Sequence, residues 1–471
     1  MSPQNRPDRP SGRRIAAVVP TGGLSTGLVL AVVTPLLTLV ALLVQAPSDT
    51  QSETPAEPAS REPLVTQRIG CPDSPGGRGP VVLASGAEEG ADGRVSLRRA
   101  GREGSRAVRL APGATTDRPQ PRGDLVVSGN GGMAAGLFGA RLGDDAAREC
   151  AAPQGEAWFA GAGAGADHLS EITLVNPDHG KAVADLVLWG SDGPLEVTTT
   201  LGITVPGGGS RTIDLEEEAP HRDEVAVRVS LARGRLVATG VDSFGTDLPR
   251  SSRDGLPQTA APAESLLIPG LPRTAGSRAL TLVNPGEDEA RVEARIVGAR
   301  GSFAPVGLEE IRVPAGRAVT TDLTEALAGV EREDASLLIE STVPVAAGLR
   351  NVVSGDLVHQ PAVTPGAGAS GVVVPPGRKR TLVLAPGGVS GLAQVTFVGG
   401  RGGSERVRLK PGVSSAVEVP RGAVALVVRS EVEYAGAVRS VGPGASLLPL
   451  RSLVTDKLVP SVRPAWPPSR D

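Results

Sequence analysis

The chain has 471 residues but is short of most side chains that carry chemistry. It holds two cysteines, four histidines and nine aromatic residues: three Trp, one Tyr and five Phe. There is no CxxC pair, and no two histidines stand at a metal-ligand spacing, so neither a metal nor a cofactor is expected. The net charge of −3 provides no basic field, and nucleic acid is not an expected partner. Lysine is almost missing as well. Its four copies against 44 arginines reflect GC-rich coding rather than a binding surface.

What the chain does have is glycine and proline, 62 and 42 residues, and an apolar content of 40% made mainly of Val, Leu and Ala. Its length allows three or four domains. The first fourteen residues carry Arg6, Arg9, Arg13 and Arg14 against Asp8 alone, and residues 22–44 then run without a charge. About 20 apolar residues cross a bilayer, so this run reads as a transmembrane anchor. The arginines before it should stay in the cytoplasm and the rest of the chain outside. A cleaved signal peptide ending at Val44-Gln45-Ala46 is the alternative. Residues 45–63, rich in Pro, Ser, Thr, Ala and Glu, read as a disordered stalk.

Beyond the stalk the sequence repeats itself. TLVNP occurs at Thr173–Pro177 and again at Thr281–Pro285, with TLVLAP at Thr381–Pro386. From Pro177 and from Pro285 alike, a second VP marker follows 29 residues on (Pro206, Pro314) and a glycine 63 residues on (Gly240, Gly348). The third copy is shorter, with Pro411 and Gly436. Between markers the hydrophobic period is 2, as in Ala290, Val292, Ala294 and Ile296 with charges between them, which is a strand with one buried face. Ala182 to Leu188, Val225 to Val229, Ala393 to Phe397 and Val424 to Val428 follow the same rule. Turns every 8–12 residues suit β-sandwiches. TLVNP then ends a strand, because Pro cannot donate to a ladder and Asn readily begins a turn.

The fold expected is all-β: tandem immunoglobulin-like β-sandwiches behind one N-terminal transmembrane helix. The units run 1–21 (basic tail), 22–44 (anchor), 45–63 (stalk), 64–157 (a degenerate sandwich), 158–264, 265–370 and 371–460 (sandwiches), and 461–471 (disordered tail). Cys71 and Cys150 bracket the degenerate unit and are expected to form a disulfide outside the cytoplasm, the alternative being two unrelated buried thiols.

Candidate chemistry is thin. His168, His179, His221 and His359 are scattered, and Glu216-Glu217-Glu218 reads as a solvated loop. GLSTG at residues 23–27 fits a nucleophile elbow but lies in the anchor. GAGASG at residues 366–371 fits a dinucleotide fingerprint but leads into an extended segment, so it reads as a linker. Trp189 follows Leu188 on the opposite strand face. It is either core or a lone exposed glycan contact. No catalytic residues are assigned.

The basic N-terminus, the anchor, the stalk and the repeats marked TLVNP, VPAG and VAAG resemble the actinobacterial secreted or membrane proteins of domain of unknown function 5719. The repeats are also similar to bacterial immunoglobulin-like modules. The resemblance implies no catalytic residues. Members tend to be encoded beside a glycosyltransferase, which implies work on envelope polysaccharide. The function expected is that of a membrane-anchored, non-enzymatic envelope scaffold whose partner is an envelope protein or glycan. A module binding cell-wall or capsular glycan, or an accessory to a glycan-processing enzyme, are the alternatives.

Overall fold

In the computed structural model the described residues are 26–44, 60–73, 79–86, 93–111, 114–115, 120–143, 147–245, 252–441 and 445–459. The basic segment 1–21, most of the stalk and the tail with Trp466 lie outside them. One long helix, Thr26–Val44, occupies the apolar run and contains Pro35; its described side chains, 31–40, are all exposed. No helix among the described residues is long and apolar enough to cross a membrane.

Residues 61–458 form one compact unit made almost wholly of strands. Four two-layered sandwiches succeed one another along it. In the first, a four-stranded sheet (Thr66–Cys71, Gly93–Arg99, Arg106–Val108, Leu125–Gly131) faces a five-stranded one that includes Val81–Ser85, Leu137–Leu142 and Ala147–Cys150. Ile69, Val95, Leu97, Leu125 and Val127 meet Val81, Leu83 and Leu137 between them. The Cys71–Cys150 disulfide joins the two sheets across this core. Despite its weak repeat signal, the first unit is a complete sandwich.

The second sandwich runs from strand Glu156–Gly165 to strand Ser252–Leu256, the third from Ala263–Ile268 to Asp356–Pro361, and the fourth from Gly366–Val373 to Arg451–Ser452. Each alternating segment turns its apolar side inward. Ala182, Ala184, Leu186 and Leu188 lie in one core, Ala290 to Ile296 in the next, and Ala393, Val395 and Phe397 in the last. In the third and fourth units one long strand serves both layers. Ser336–Val353 pairs first with Ala290–Val297 and then with Gly276–Asn284. Ala425–Val441 does the same with Gly391–Val398 and Lys379–Pro386.

Two segments differ from the sequence reading. Gly366–Val373, expected as a linker, is a ladder strand against Ala425–Val441, because small residues pass easily beneath a neighbouring sheet. Ser60–Pro63, expected in the stalk, pairs with Asp456–Val459.

The sandwiches close into a ring. Val126 of the first packs on Val175 and Val237 of the second. Trp158, Trp189 and Ala226 of the second pack on Val283, Ala318 and Ala346 of the third. Leu267, Val297 and Val363 of the third meet Ala385 and Ala435 of the fourth. Val82, Ala84, Phe138 and Ala140 of the first share one continuous core with the fourth. Four strands face the centre, one per sandwich: Ala147–Cys150, Ser252–Leu256, Asp356–Pro361 and Ala445–Pro449. Polar ties cross the centre too. Asp356 accepts from Ser252 Oγ at 2.9 Å and Ala445 N at 2.7 Å, while Arg451 forks onto Glu149 and donates to the Gln258 carbonyl.

Candidate functional site

The repeat phrase TLVNP resolves into a structural clamp. Asn176 and Asn284 are fully buried. Asn176 Nδ2 donates to the carbonyls of Gly180 (2.8 Å) and Val205 (3.1 Å), and its Oδ1 accepts from Asp178 N at 3.0 Å. Asn284 repeats this with Asp288 O (2.7 Å), Val313 O (3.0 Å) and Gly286 N (3.0 Å). The side chain thus satisfies backbone groups at the base of the VP turn 29 residues on, which explains the fixed spacing of the first two markers. The third marker is not equivalent between copies. Thr173 pairs with Thr239, whereas Thr281 pairs with Gly348, a one-residue offset that puts Ala238 and Ala347 in corresponding core positions.

Trp189 is 5% exposed and stacked on Trp158 with ring centroids 5.2 Å apart. Of the two readings left open for it, the structure places it in a packed interface, with no open face for a sugar ring.

Between the second and third sandwiches lies a cluster that the sequence did not announce. Strand His168–Val175 pairs with strand Val237–Phe244, setting Ser170 opposite Asp242. Asp242 has no exposed surface. Its Oδ1 accepts from Ser170 Oγ at 2.5 Å and its Oδ2 lies 3.0 Å from His168 Nε2. From the third sandwich His359 reaches the same Oδ2 with its Nε2 at 2.7 Å. The His168 ring sits tight against backbone, and a Cβ at Gly163 would lie 2.2 Å from it, so only glycine fits there. Beside it Glu224 is paired with Arg350 of the third sandwich, whose guanidinium lies 3.8 Å above the Phe244 ring.

Burial alone would raise the Asp242 carboxyl, but the His168 charge and the hydrogen bonds of both imidazoles outweigh it and hold it well below the usual range. Burial likewise works against a charge on His168, and Asp242 overcomes it, so His168 titrates above its ordinary value. Burial pushes Glu224 up, opposed by Arg350 and His168. Asp254, on the centre-facing strand of the second sandwich, is pushed up to about 7 by burial, against hydrogen bonds from His359 N and Gly255 N. It lines a central cavity of about 30 Å³ together with Arg148, Gln258 and His359, room enough for one or two waters.

Serine, aspartate and histidine meet here, yet not as a hydrolase triad. The Ser170 hydroxyl donates to the carboxylate rather than to an imidazole, and all three side chains are buried. Among the described residues no group of three or more His, Cys, Asp or Glu side chains is arranged to hold a metal ion. His179 and His221 stand exposed in turns, and Glu216 to Glu218, read as a loop, form one helical turn capped by Asp214. Sequence reasoning missed the cluster because its two histidines lie in different repeats. The available signal was that both sit inside strand-forming, largely apolar segments.

The fold and this buried cluster define an all-β protein of four packed sandwiches, with its convergent ionisable groups at a domain junction. A family of unknown function, DUF5719, matches residues 139–441, from the inner strands of the first sandwich into the last long strand of the fourth. The chain belongs to that family. No curated protein matches it.

Proposed function

We propose that the chain is a single-pass membrane protein of the cell envelope whose ring of immunoglobulin-like sandwiches is an extracytoplasmic, non-enzymatic interaction platform. The observation that carries this reading is the sealing of the titratable cluster. His168, Ser170, Asp242 and His359 are each at most 3% exposed, so this cluster is closed to a substrate and a partner would meet the ring at its outer surface. The uncharged run of residues 22–44 behind four arginines supports the anchor, and the disulfide supports an oxidising compartment. Antiparallel strands closed around one apolar core in each unit, repeated at about a hundred residues, support the immunoglobulin-like assignment.

The test is site-specific photo-crosslinking in intact cells from Val306 and Val389, exposed at 93% and 63%. A reproducible adduct with one envelope protein or one envelope glycan is expected. No adduct from any outward position would overturn the platform reading. Protease added to spheroplasts should destroy the ring and spare a tag on Met1, and a shielded ring would overturn the topology.

A further inference from the structure

The cluster at the second junction has a protonation requirement that its geometry states directly. His168 Nδ1 lies 2.6 Å from the Asp223 carbonyl, and Nε2 lies 3.0 Å from Asp242 Oδ2. A carbonyl and a carboxylate can only accept, so both ring nitrogens must donate, and a neutral imidazole has only one N–H. We propose that the Asp242 carboxylate, shared by His168 and His359, is a pH-sensitive latch between the second and third sandwiches, closed while His168 is an imidazolium and loosened when it gives up a proton.

The groups facing His168 come from every packed element. Its own strand supplies Ser170, the neighbouring strand Asp242 and the edge of Phe244, and strand Arg222–Arg233 the Asp223 carbonyl and Glu224, with Oε1 3.8 Å from Nδ1. The third sandwich supplies Arg350, which opposes the charge, and His359. Asp254 adds negative charge near Asp242. Because the folded pKa of His168 is raised, its stabilisation is fully present below the unfolded value of about 6.5 and is lost as pH rises through the higher folded value. Glu224 and Asp254, also raised, lose stabilisation in the same direction but from a lower starting pH. Asp242, lowered, stays ionised until strongly acid conditions. Once deprotonated, the His168 ring keeps a single N–H, so either the Asp242 carboxylate or the Asp223 carbonyl loses its donor inside the fold, which is costly.

The same junction contains its own reporter, the stacked Trp158 and Trp189 against Val283, Ala318 and Ala346. The experiment uses the full chain carrying Trp466→Phe, which removes the third tryptophan. Imidazole ¹⁵N spectra and tryptophan emission are recorded from pH 6 to 9.5. We expect both His168 ring nitrogens to be protonated at pH 7, and a red shift of emission on raising the pH that His168→Gln abolishes. An unprotonated His168 ring nitrogen at pH 7 would overturn the latch, as would a red shift that persists unchanged in His168→Gln. So would a stoichiometric metal bound through the two Nε2 atoms. Should His168→Gln fail to fold, the spectra of the unsubstituted histidines still decide the question.

Discussion

Asn284 shows how much one side chain can hold at this scale. Fully buried, it donates to three main-chain carbonyls and accepts from a main-chain N–H, all within the turns that close one end of the third sandwich. Asn284→Ala would orphan those groups, and unmade buried hydrogen bonds cost about 1–3 kcal/mol each where water cannot replace them. With partial relaxation, a loss of about 3 kcal/mol in unfolding free energy is expected by chemical denaturation, and Asn176→Ala should match it. Asp254 provides a second residue-scale prediction. Its carboxyl is raised to about 7, so ionising it in the fold costs stability that appears as pH climbs from about 4 towards 7. Asp254→Asn keeps an acceptor for His359 N, and should leave stability at pH 4 nearly unchanged while raising it at pH 8. Thermal melts at the two pH values measure this. No gain at pH 8 would mean that Asp254 is not held protonated.

Among the elements, those with strict alternation were legible from sequence. Ala290 to Ile296 could only present one apolar face to a core, and Asn-Pro could only end a ladder. Less legible were the strands made of small residues. Gly366–Val373 and Glu156–Gly165 are long ladder strands, yet their glycines and alanines give no periodicity, since what they supply is room for a neighbouring backbone. A Cβ at Gly371 would lie 2.8 Å from Phe138, and a Cβ at Gly348 only 2.6 Å from the Ala160 carbonyl. The His168–Asp242–His359 cluster was invisible for another reason: contacts between different sandwiches follow from packing, which no single-strand pattern encodes. The disulfide was predictable from scarcity and position. The loop it closes, with 79 residues of separation, gains about 4 kcal/mol on the chain-entropy account. Cys71→Ala with Cys150→Ala should lower the unfolding free energy by about that amount. Because Cys150 ends a centre-facing strand, and Arg148 beside it donates to the Gly240 carbonyl, the melting of the second sandwich should shift as well. Hydrogen exchange resolved by segment would test this, and an unchanged second sandwich would argue against coupling through the centre.

For the molecule as a whole, the repeats said nothing about how the sandwiches pack, and the structure joins them face to face rather than as beads on a string. Their outer faces are apolar where they meet, and each junction buries side chains that an isolated module would expose, Trp158 and Trp189 above all. Trp189→Ala should therefore cost about 3–5 kcal/mol, a core-like penalty, and the ring should melt as one transition rather than four. The second sandwich expressed alone as residues 156–256 should aggregate or remain partly unfolded, and a stable, monomeric fragment would show that the junction contributes little. The ring is also sealed beside its own point of entry, where Arg61 pairs with Asp456 at 2.8 Å and Leu64 N donates to the Thr455 carbonyl. Where a polypeptide begins and leaves at one spot, the order in which its modules are synthesised is a convention of the gene and not a requirement of the fold. Joining residue 61 to residue 458 through a short linker, and opening the chain instead at the tight Ser354-Gly355 turn, should produce a circular permutant with the same four junctions. Any of the four modules could in that sense have come first.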